Sequence, residues 1–218
     1  MTEPAAQRFP SYDFTVLETL LTEARHFGFL GPGPVAAQIE RSLAFTKMAL
    51  DVPLSAADLG SGGGLPGLVL SSAWPTTHWL LIESNQRKAA WLEGAVQRLG
   101  AVNRVEVLCD RAENAGRSAL RGRFDLVTAR SFGPPATTAE CAAPLLKLGS
   151  RLLVAEPPDH PPSRWPAKGL AELGLTLEKA RVVSTAAGPA SLSCLVAVSN
   201  CPLRYPRRVG IPLKRPLF

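Results

Sequence analysis

The sequence predicts an α/β fold, a mainly parallel sheet with helices on both of its faces. From residue 54 onward, short apolar segments of β character alternate with segments of helical character. Strands that alternate with helices at this spacing pair in parallel, because each helix returns the chain across one face of the sheet. A glycine-rich stretch, residues 60–67, directly follows the first of these strands. It lies where open α/β sheets bind their ligands, at the carboxyl ends of the strands.

The predicted elements follow one another without an internal repeat. Ahead of the sheet, residues 12–50 form two helices joined by GFLGPGP. Strands are predicted at residues 54–60, 78–84, 104–110, 123–130 and 150–156. Helices are predicted between them at residues 65–74, 85–100 and 134–149. A short helix at 167–174 then precedes two strands, 177–184 and 191–200, which form an antiparallel hairpin at the edge of the sheet.

The composition is that of a globular protein, since 46% of the 218 residues are hydrophobic and 19% are charged. The four cysteines form no C-x-x-C pair, so we expect reduced thiols and no metal site. No apolar run is long enough to span a membrane and the N-terminus lacks a signal-peptide pattern, so we expect a cytoplasmic protein that binds no membrane. We expect a monomer, with a domain at 53–203, an N-terminal helical extension at 1–52 and a basic C-terminal tail at 204–218.

The net charge of +6 is concentrated at the C-terminus. The last fifteen residues hold five basic groups and no acid, which leaves 19 basic against 18 acidic groups in the rest of the chain. Further arginines gather between residues 98 and 130. A localised basic surface is typical of a protein that binds nucleic acid, and a solvated tail is the alternative. The candidate nucleic-acid-binding residues are Arg204, Arg207, Arg208, Lys214 and Arg215.

The glycine-rich loop admits more than one kind of ligand. Glycines permit positive φ and let a ligand approach the backbone, and the following helix offers free N–H groups to an anion. The dinucleotide pattern G-x-G-x-x-G, with an acid 21 residues after its first glycine, is met by Gly62, Gly64, Gly67 and Glu83. A triphosphate-binding loop is excluded, because it ends in a lysine and none lies between residues 47 and 88.

S-adenosylmethionine fits the same loop better than a dinucleotide does. The turn then begins at Gly60, directly after a strand that ends in Asp58, and its glycines are Gly60, Gly62 and Gly64. An acid at the strand end can meet the ligand's ammonium, while helix N–H groups can meet its carboxylate. Glu83 ends the second strand, where it can accept both ribose hydroxyls. The loop and this acid together predict an S-adenosylmethionine site.

The motif DLGSGGGLPGLVL, with its Leu-Pro-Gly end, resembles the loop of the RsmG (GidB) family. Other stretches are similar to that family as well: GFLGPGPVAAQIERSL, LIESNQRKAAWLEGAVQRLG, RAE, FDLVTAR and YPRRVGIPLKRPLF. The resemblance covers most of the chain. It implies a class I (Rossmann-like) methyltransferase that transfers a methyl group from S-adenosylmethionine to N7 of a guanine in 16S ribosomal RNA. The implied partner is 16S rRNA or the small ribosomal subunit.

The resemblance also implies roles for individual residues. Gly60 and Leu65 would contact the cofactor in the loop. Ala112 and Glu113 would lie beside its adenine, where a backbone N–H and a carboxylate can read the edge of the base. Arg130 would face cofactor and substrate as the catalytic residue, and a surface salt bridge is the alternative for it.

The implied chemistry needs no general base. Guanine N7 carries a lone pair and no proton. Holding it in line with the methyl group can therefore supply most of the rate enhancement, about 7–11 kcal/mol of the activation barrier. Phe132, two residues after Arg130, is a candidate to stack on an extruded base, with core packing as the alternative.

The substrate side departs from the family in three places, one of which is the absence of its usual Asn-Leu-Thr segment upstream. The family's fifth strand usually ends in a lysine-glycine pair, whereas this chain has Glu156 there, and an acid repels phosphate. Ser42 stands where the family commonly carries a histidine. The alternative function is therefore a methyltransferase of the same fold that acts on another substrate, such as a small molecule.

Overall fold

The computed structural model describes residues 14–158 and 162–218. These residues contain one sheet with the strands β1 (Ser55–Leu59), β2 (His78–Ile82), β3 (Val105–Leu108), β4 (Phe124–Ala129), β5 (Leu146–Glu156), β6 (Leu175–Thr185) and β7 (Gly188–Ala197). The order across the sheet is β3-β2-β1-β4-β5-β7-β6. The first five strands are parallel, and β7 runs antiparallel to both β5 and β6. The predicted parallel sheet and its terminal hairpin are confirmed.

Helices cover both faces of this sheet. In the described residues they are α1 (Thr15–His26), α2 (Val35–Leu43), α3 (Gly67–Ala73), α4 (Gln86–Arg98), α5 (Ala112–Ala115), α6 (Pro135–Ala142), α7 (Ala167–Glu172) and α8 (Ile211–Lys214). Three 3-10 turns lie next to helices: Ala44–Lys47 follows α2, Ala143–Leu145 follows α6, and Pro162–Arg164 precedes α7. As predicted, α4 ends just before a glycine with positive φ, Gly100.

Each strand divides its side chains between two hydrophobic cores, because successive residues of a strand point to opposite faces. Ala56 and Leu81 belong to the core that packs against α1 to α4, and Ala57 and Leu80 to the core that packs against α5 to α7. The N-terminal helices therefore pack on one face of the sheet. Residues 12 and 13, the start of the predicted first helix, lie outside the described residues.

The helix predicted over residues 134–149 is wrong in its second half. The α-helix ends at Ala142, a 3-10 turn follows, and β5 already begins at Leu146, which pairs with Phe124. Pro144 accounts for the break, because it lacks an N–H and its ring clashes with the preceding helical turn. The apolar run on both sides of Pro144 imitates a helical pattern although half of it is strand.

The C-terminal segment, residues 204–218, folds back onto the second core. Tyr205 is 5% exposed, and Thr137 Oγ1 in α6 donates a hydrogen bond of 3.0 Å to the carbonyl of Pro212. Arg121 donates hydrogen bonds to the carbonyls of Cys201, Pro202 and Tyr205. The segment is therefore packed against the body of the protein, and whether its exposed basic groups bind nucleic acid stays a prediction.

Candidate cofactor and substrate site

The glycine loop leaves β1 in a left-handed conformation. Gly60, Gly62 and Gly64 have φ values of +65°, +55° and +96°, which side chains with a Cβ rarely adopt. Within the turn, the N–H of Gly64 donates to the carbonyl of Ser61 at 2.7 Å, and the N–H of Ser61 donates to the carbonyl of Ile82 at 3.1 Å. The loop is thus fastened to the carboxyl end of the neighbouring strand β2.

Asp58 lies beneath this loop and is fully buried. Its Oδ1 accepts a hydrogen bond from Thr128 Oγ1 at 2.7 Å, and its Oδ2 accepts one from the N–H of Gly67 at 3.2 Å. Burial raises the pKa of Asp58 to about 6. The expected contact with a ligand's ammonium is wrong for this arrangement, because the carboxylate faces inward and fixes the start of α3.

Leu65 also turns inward. Its side chain is 6% exposed and packs in the first core beside the N-terminal helices. The sequence prediction placed Leu65 against the cofactor, but the structure places its side chain in the packing under the loop.

Glu83 ties the glycine loop to the start of α4. Its Oε2 accepts from the N–H of Gly62 at 2.9 Å, and its Oε1 accepts from the N–H of Asn85 at 2.7 Å. The residue is 7% exposed. Each carboxylate oxygen has a second lone pair, so Glu83 can accept hydroxyl donors from a ligand while it holds the loop.

Ala112 and Glu113 form the first turn of α5, and both are buried. Glu113 Oε1 accepts from the N–H of Gly210 at 2.9 Å, and its Oε2 lies 3.5 Å from Arg111 Nε. The expectation that this carboxylate reads the edge of an adenine stays a prediction, because each carboxylate oxygen has a second lone pair beside these contacts. Glu113 acts here as the link between that segment and the loop after β3.

Arg130 follows β4 and reaches across to α2. Its Nη2 lies 3.2 Å from Gln38 Oε1 and its Nη1 lies 3.4 Å from Ser42 Oγ. Burial lowers the pKa of its guanidinium, and the like charge of Arg41 adds to the effect. No carboxylate in the described ranges forms an ion pair with Arg130, so the surface salt bridge considered as its alternative is wrong.

A cavity of about 680 Å³ opens beside Arg130, at the ends of β4 and β5 and along the β6–β7 hairpin. Its described lining carries four ionisable side chains: Arg41, Arg130, Glu156 and Arg164. Phe132 also lines it, half-buried, and packs against the second core and over Gly60. The cavity is large enough for one nucleotide or a drug-sized molecule.

Comparison with known proteins identifies the chain's relatives. The GidB family model, described as rRNA small subunit methyltransferase G, matches residues 37–156. The ribosomal RNA small subunit methyltransferase G of Thermotoga sp. (strain RQ2) is 36% identical over 163 residues, which cover 74% of this chain and 71% of that protein. The protein of the same name from Syntrophomonas wolfei is 37% identical over 164 residues, 73% of this chain and 75% of its own. The chain belongs to the rRNA small subunit methyltransferase G family.

The fold of this chain is similar to that of solved methyltransferase structures. An O-methyltransferase from Bacillus cereus in complex with SAH has a TM-score of 0.58 at 14% identity and covers 84% of this chain and 90% of its own. The O-methyltransferase TomG from Streptomyces achromogenes in complex with SAM has a TM-score of 0.56 at 16% identity, and the match covers 89% of this chain and 100% of that one. The predicted class I methyltransferase fold is confirmed, and S-adenosylmethionine is the methyl donor of this family member.

The glycine loop of this family member fits that cofactor. A Cβ at Gly60 would lie 2.8 Å from the ring of Phe132, and one at Gly63 would lie 2.5 Å from Leu30 Cδ2. The loop therefore keeps a bare backbone beside Phe132 and Leu30, and Glu83 lies against it with lone pairs left to accept ribose hydroxyls.

The family departure at Glu156 is compensated within the structure. Glu156 Oε2 lies 2.8 Å from Arg164 Nη1, and the Glu156 side chain is only 2% exposed. Its Oε1 accepts from Trp165 Nε1 at 2.5 Å and from Ser193 Oγ at 2.8 Å. The expected repulsion of phosphate by this acid is therefore wrong, because the charge is buried and paired. Sequence reasoning missed Arg164, since only the fold brings it back to the end of β5.

The basic residues of the C-terminal segment divide into two groups. Arg207 binds the fully buried carboxylate of Glu140, with Nη2 2.6 Å from Glu140 Oε2, so its guanidinium holds the segment in place. The other predicted RNA-binding residues are exposed: Arg204, Arg208, Lys214 and Arg215. Arg204 lies over the Tyr205 ring, 5.0 Å from its centre.

Neither a membrane span nor a metal centre is found in residues 14–158 and 162–218. No helix there is long and apolar enough to cross a membrane. No group of three His, Cys, Asp or Glu side chains there is arranged to hold a metal ion.

Proposed function

We propose that this protein transfers the methyl group of S-adenosylmethionine to N7 of a guanine in 16S rRNA, acting as a monomer on the small ribosomal subunit. The relatives are named ribosomal RNA small subunit methyltransferases, and the chain matches them over about three quarters of its length, 74% in one case. The fold, the glycine loop and the adjoining cavity support the proposal, because such a reaction needs one site for the cofactor and one for the base.

The proposal that N7 is the methylated atom rests on the residues that line the cavity. Its described residues include no histidine, cysteine, lysine or aspartate, and its one carboxylate, Glu156, is committed to Arg164, Trp165 and Ser193. A site that removes a proton from its substrate needs a group free to accept it. Guanine N7 has a lone pair and no proton, so its methylation requires no such group.

The residues of the site bind and orient rather than exchange protons. S-adenosylmethionine supplies an electrophilic methyl group when it is bound. Arg130, held by Gln38 and Ser42, carries its positive charge to the boundary between the loop and the cavity. A guanidinium there can donate hydrogen bonds to guanine O6 or to a phosphate and so fix the base in line for transfer. Phe132 presents an aromatic face to the same cavity, where an extruded base can stack.

The test is transfer of labelled methyl from S-adenosylmethionine to small ribosomal subunits that lack the N7 modification. We expect label on a single guanine N7 of 16S rRNA, located by cleavage of the modified strand. Subunits that already carry the modification are the control and should accept none. Label on another atom, or none despite measured cofactor binding, would point to a different substrate. Light scattering of the free protein tests the monomer.

A further inference from the structure

Arg164 stands out among the cavity residues because two other side chains, Trp165 and Ser193, fix its partner Glu156. Glu156 accepts hydrogen bonds from Arg164, Trp165 and Ser193, and Trp165 is 4% exposed. Such a carboxylate cannot rotate without leaving buried donors unpaired, which costs about 1–3 kcal/mol for each group. The guanidinium of Arg164 is therefore held in one place at the rim of the cavity.

The cavity has an excess of positive charge. Of the four ionisable side chains in its described lining, three are arginines and one is Glu156. Glu156 is 2% exposed, whereas the side chain of Arg164 is 26% exposed, so the arginine and not the acid meets solvent. Arg41 and Arg130 line the same space, so a ligand of this cavity meets three guanidinium groups.

We propose that Arg164, positioned by Glu156, binds a backbone phosphate of the RNA at the nucleotide that enters the cavity. A guanidinium has five N–H donors in a fixed fork, so it can hold Glu156 and a phosphate at the same time. In this arrangement the buried Glu156 holds the guanidinium of Arg164 in position to bind the phosphate. The inference rests on the proposed function for its substrate, an RNA.

The experiment compares Arg164→Ala and Arg164→Lys with the control Arg151→Ala. Arg151 is 24% exposed and pairs with Glu178 at 2.9 Å, so it matches Arg164 in exposure and in having a glutamate partner, but it lies outside the cavity lining. Three quantities are measured: KM for unmodified small subunits, the salt slope of binding to a 16S rRNA fragment, and Kd for S-adenosylmethionine.

We expect Arg164→Ala to raise KM about tenfold and to reduce the salt slope by about 1, the loss of one phosphate contact, with cofactor Kd unchanged. Arg164→Lys should restore the salt slope but not all of KM, because lysine keeps the charge and loses the fork. Arg151→Ala should match wild type. The proposal is overturned if Arg164→Ala keeps the wild-type KM and slope, or if it loses cofactor affinity and folding in proportion to activity. A wild type that transfers no methyl to subunits overturns the proposed function instead, and the salt slope still decides the role of Arg164.

Discussion

The N–H of Gly210 donates a hydrogen bond of 2.9 Å to Glu113 Oε1, across 97 positions of the chain. Gly210 has φ +79° and caps the start of α8, whereas Glu113 lies in the first turn of α5. The bond joins the C-terminal segment to the loop where the family resemblance places the adenine of the cofactor. The segment is therefore fastened to the helix that follows β3, and its basic residues are attached to the body of the protein.

Removing the Arg207 side chain should destabilise the protein. Glu140 is fully buried and, among the residues that the structure describes, pairs with no cation other than Arg207, so Arg207→Ala leaves a buried carboxylate without a partner charge. We expect the free energy of unfolding to fall by about 3 kcal/mol, at the low end for a broken buried pair because Arg207 itself is partly exposed. Urea denaturation at neutral pH measures this change.

Arg208→Ala is the matched control for that variant. Arg208 neighbours Arg207 but is exposed, so its loss should change the free energy of unfolding by less than about 0.5 kcal/mol. RNA binding, in contrast, should change in Arg208→Ala, whose affinity for RNA should depend less steeply on salt concentration. Equal stability losses in the two variants would contradict the structural role of Arg207.

Two glycine-to-alanine variants should change stability in opposite directions. A Cβ at Gly67 would lie 2.6 Å from Leu81 Cδ2 and 2.7 Å from Asp58 Oδ2, so Gly67→Ala must displace buried atoms. We expect a loss of about 1–3 kcal/mol in the free energy of unfolding. Gly94, inside α4, has nothing within 4 Å of its Cβ position, and Gly94→Ala should stabilise by about 1 kcal/mol. Thermal unfolding of both variants checks the signs, and a stabilised Gly67→Ala would refute the close packing.

Replacing Glu83 should weaken cofactor binding. Glu83 holds the N–H groups of Gly62 and Asn85, so Glu83→Ala frees the loop and removes the proposed ribose acceptor. Hydrogen bonds to a charged group contribute about 1.5–3 kcal/mol, so Kd for S-adenosylmethionine should rise about 10- to 100-fold by calorimetry. Glu93→Ala, an exposed acid on α4, is the control and should bind as wild type does. An unchanged Kd in Glu83→Ala would end the ribose assignment.

The Arg130 side chain should matter more to methyl transfer than to folding. It contacts Gln38 and Ser42 by hydrogen bonds of 3.2 and 3.4 Å and has no ion-pair partner in the described ranges, so Arg130→Ala breaks no salt bridge. We expect kcat/KM to fall about 100-fold, the scale of a misplaced substrate. The free energy of unfolding should change by less than about 1 kcal/mol. Comparable losses in both quantities would assign Arg130 to packing.

Residues close in sequence made the cofactor side of the site predictable. The loop from Asp58 to Gly67 and the acid Glu83 lie at the ends of adjacent parallel strands, so the order of elements alone places them together. Their exact roles were less accessible. Whether Asp58 faces a ligand or the core depends on how α3 packs against β1, and a sequence pattern does not contain that information.

Contacts between distant residues were not predictable. Arg164 pairs with Glu156 across 8 positions and Arg207 pairs with Glu140 across 67, and no local periodicity or motif predicts either pair. Considered alone, Arg207 was interpreted as part of a basic tail and Glu156 as an unpaired acid. Only the fold shows that Arg207 pairs with Glu140 and that Glu156 pairs with Arg164.

The buried carboxylate of Asp58 should make stability depend on pH. Its pKa in the folded protein is about 6, above the ordinary 3.8, because burial disfavours the charged form. Between these two values the folded state binds the proton more strongly than the unfolded state does. Stability from this group is therefore fully present below about pH 4, falls as the pH rises to about 6, and stays lower above that.

Asp58→Asn isolates this contribution. The amide can accept from the N–H of Gly67 and donate to Thr128 Oγ1, so it keeps both contacts without a titrating group. All other carboxylates are common to the two proteins, so the difference between their urea unfolding curves at pH 4, 5, 6 and 7 reports Asp58 alone. From pH 4 to pH 7 the wild type should lose about 2 kcal/mol relative to Asp58→Asn, because part of the total linkage of about 3 kcal/mol for a shift from 3.8 to about 6 is already lost at pH 4. Parallel pH profiles would mean that Asp58 is ionised in the folded protein at pH 5, because its hydrogen bonds then outweigh its desolvation.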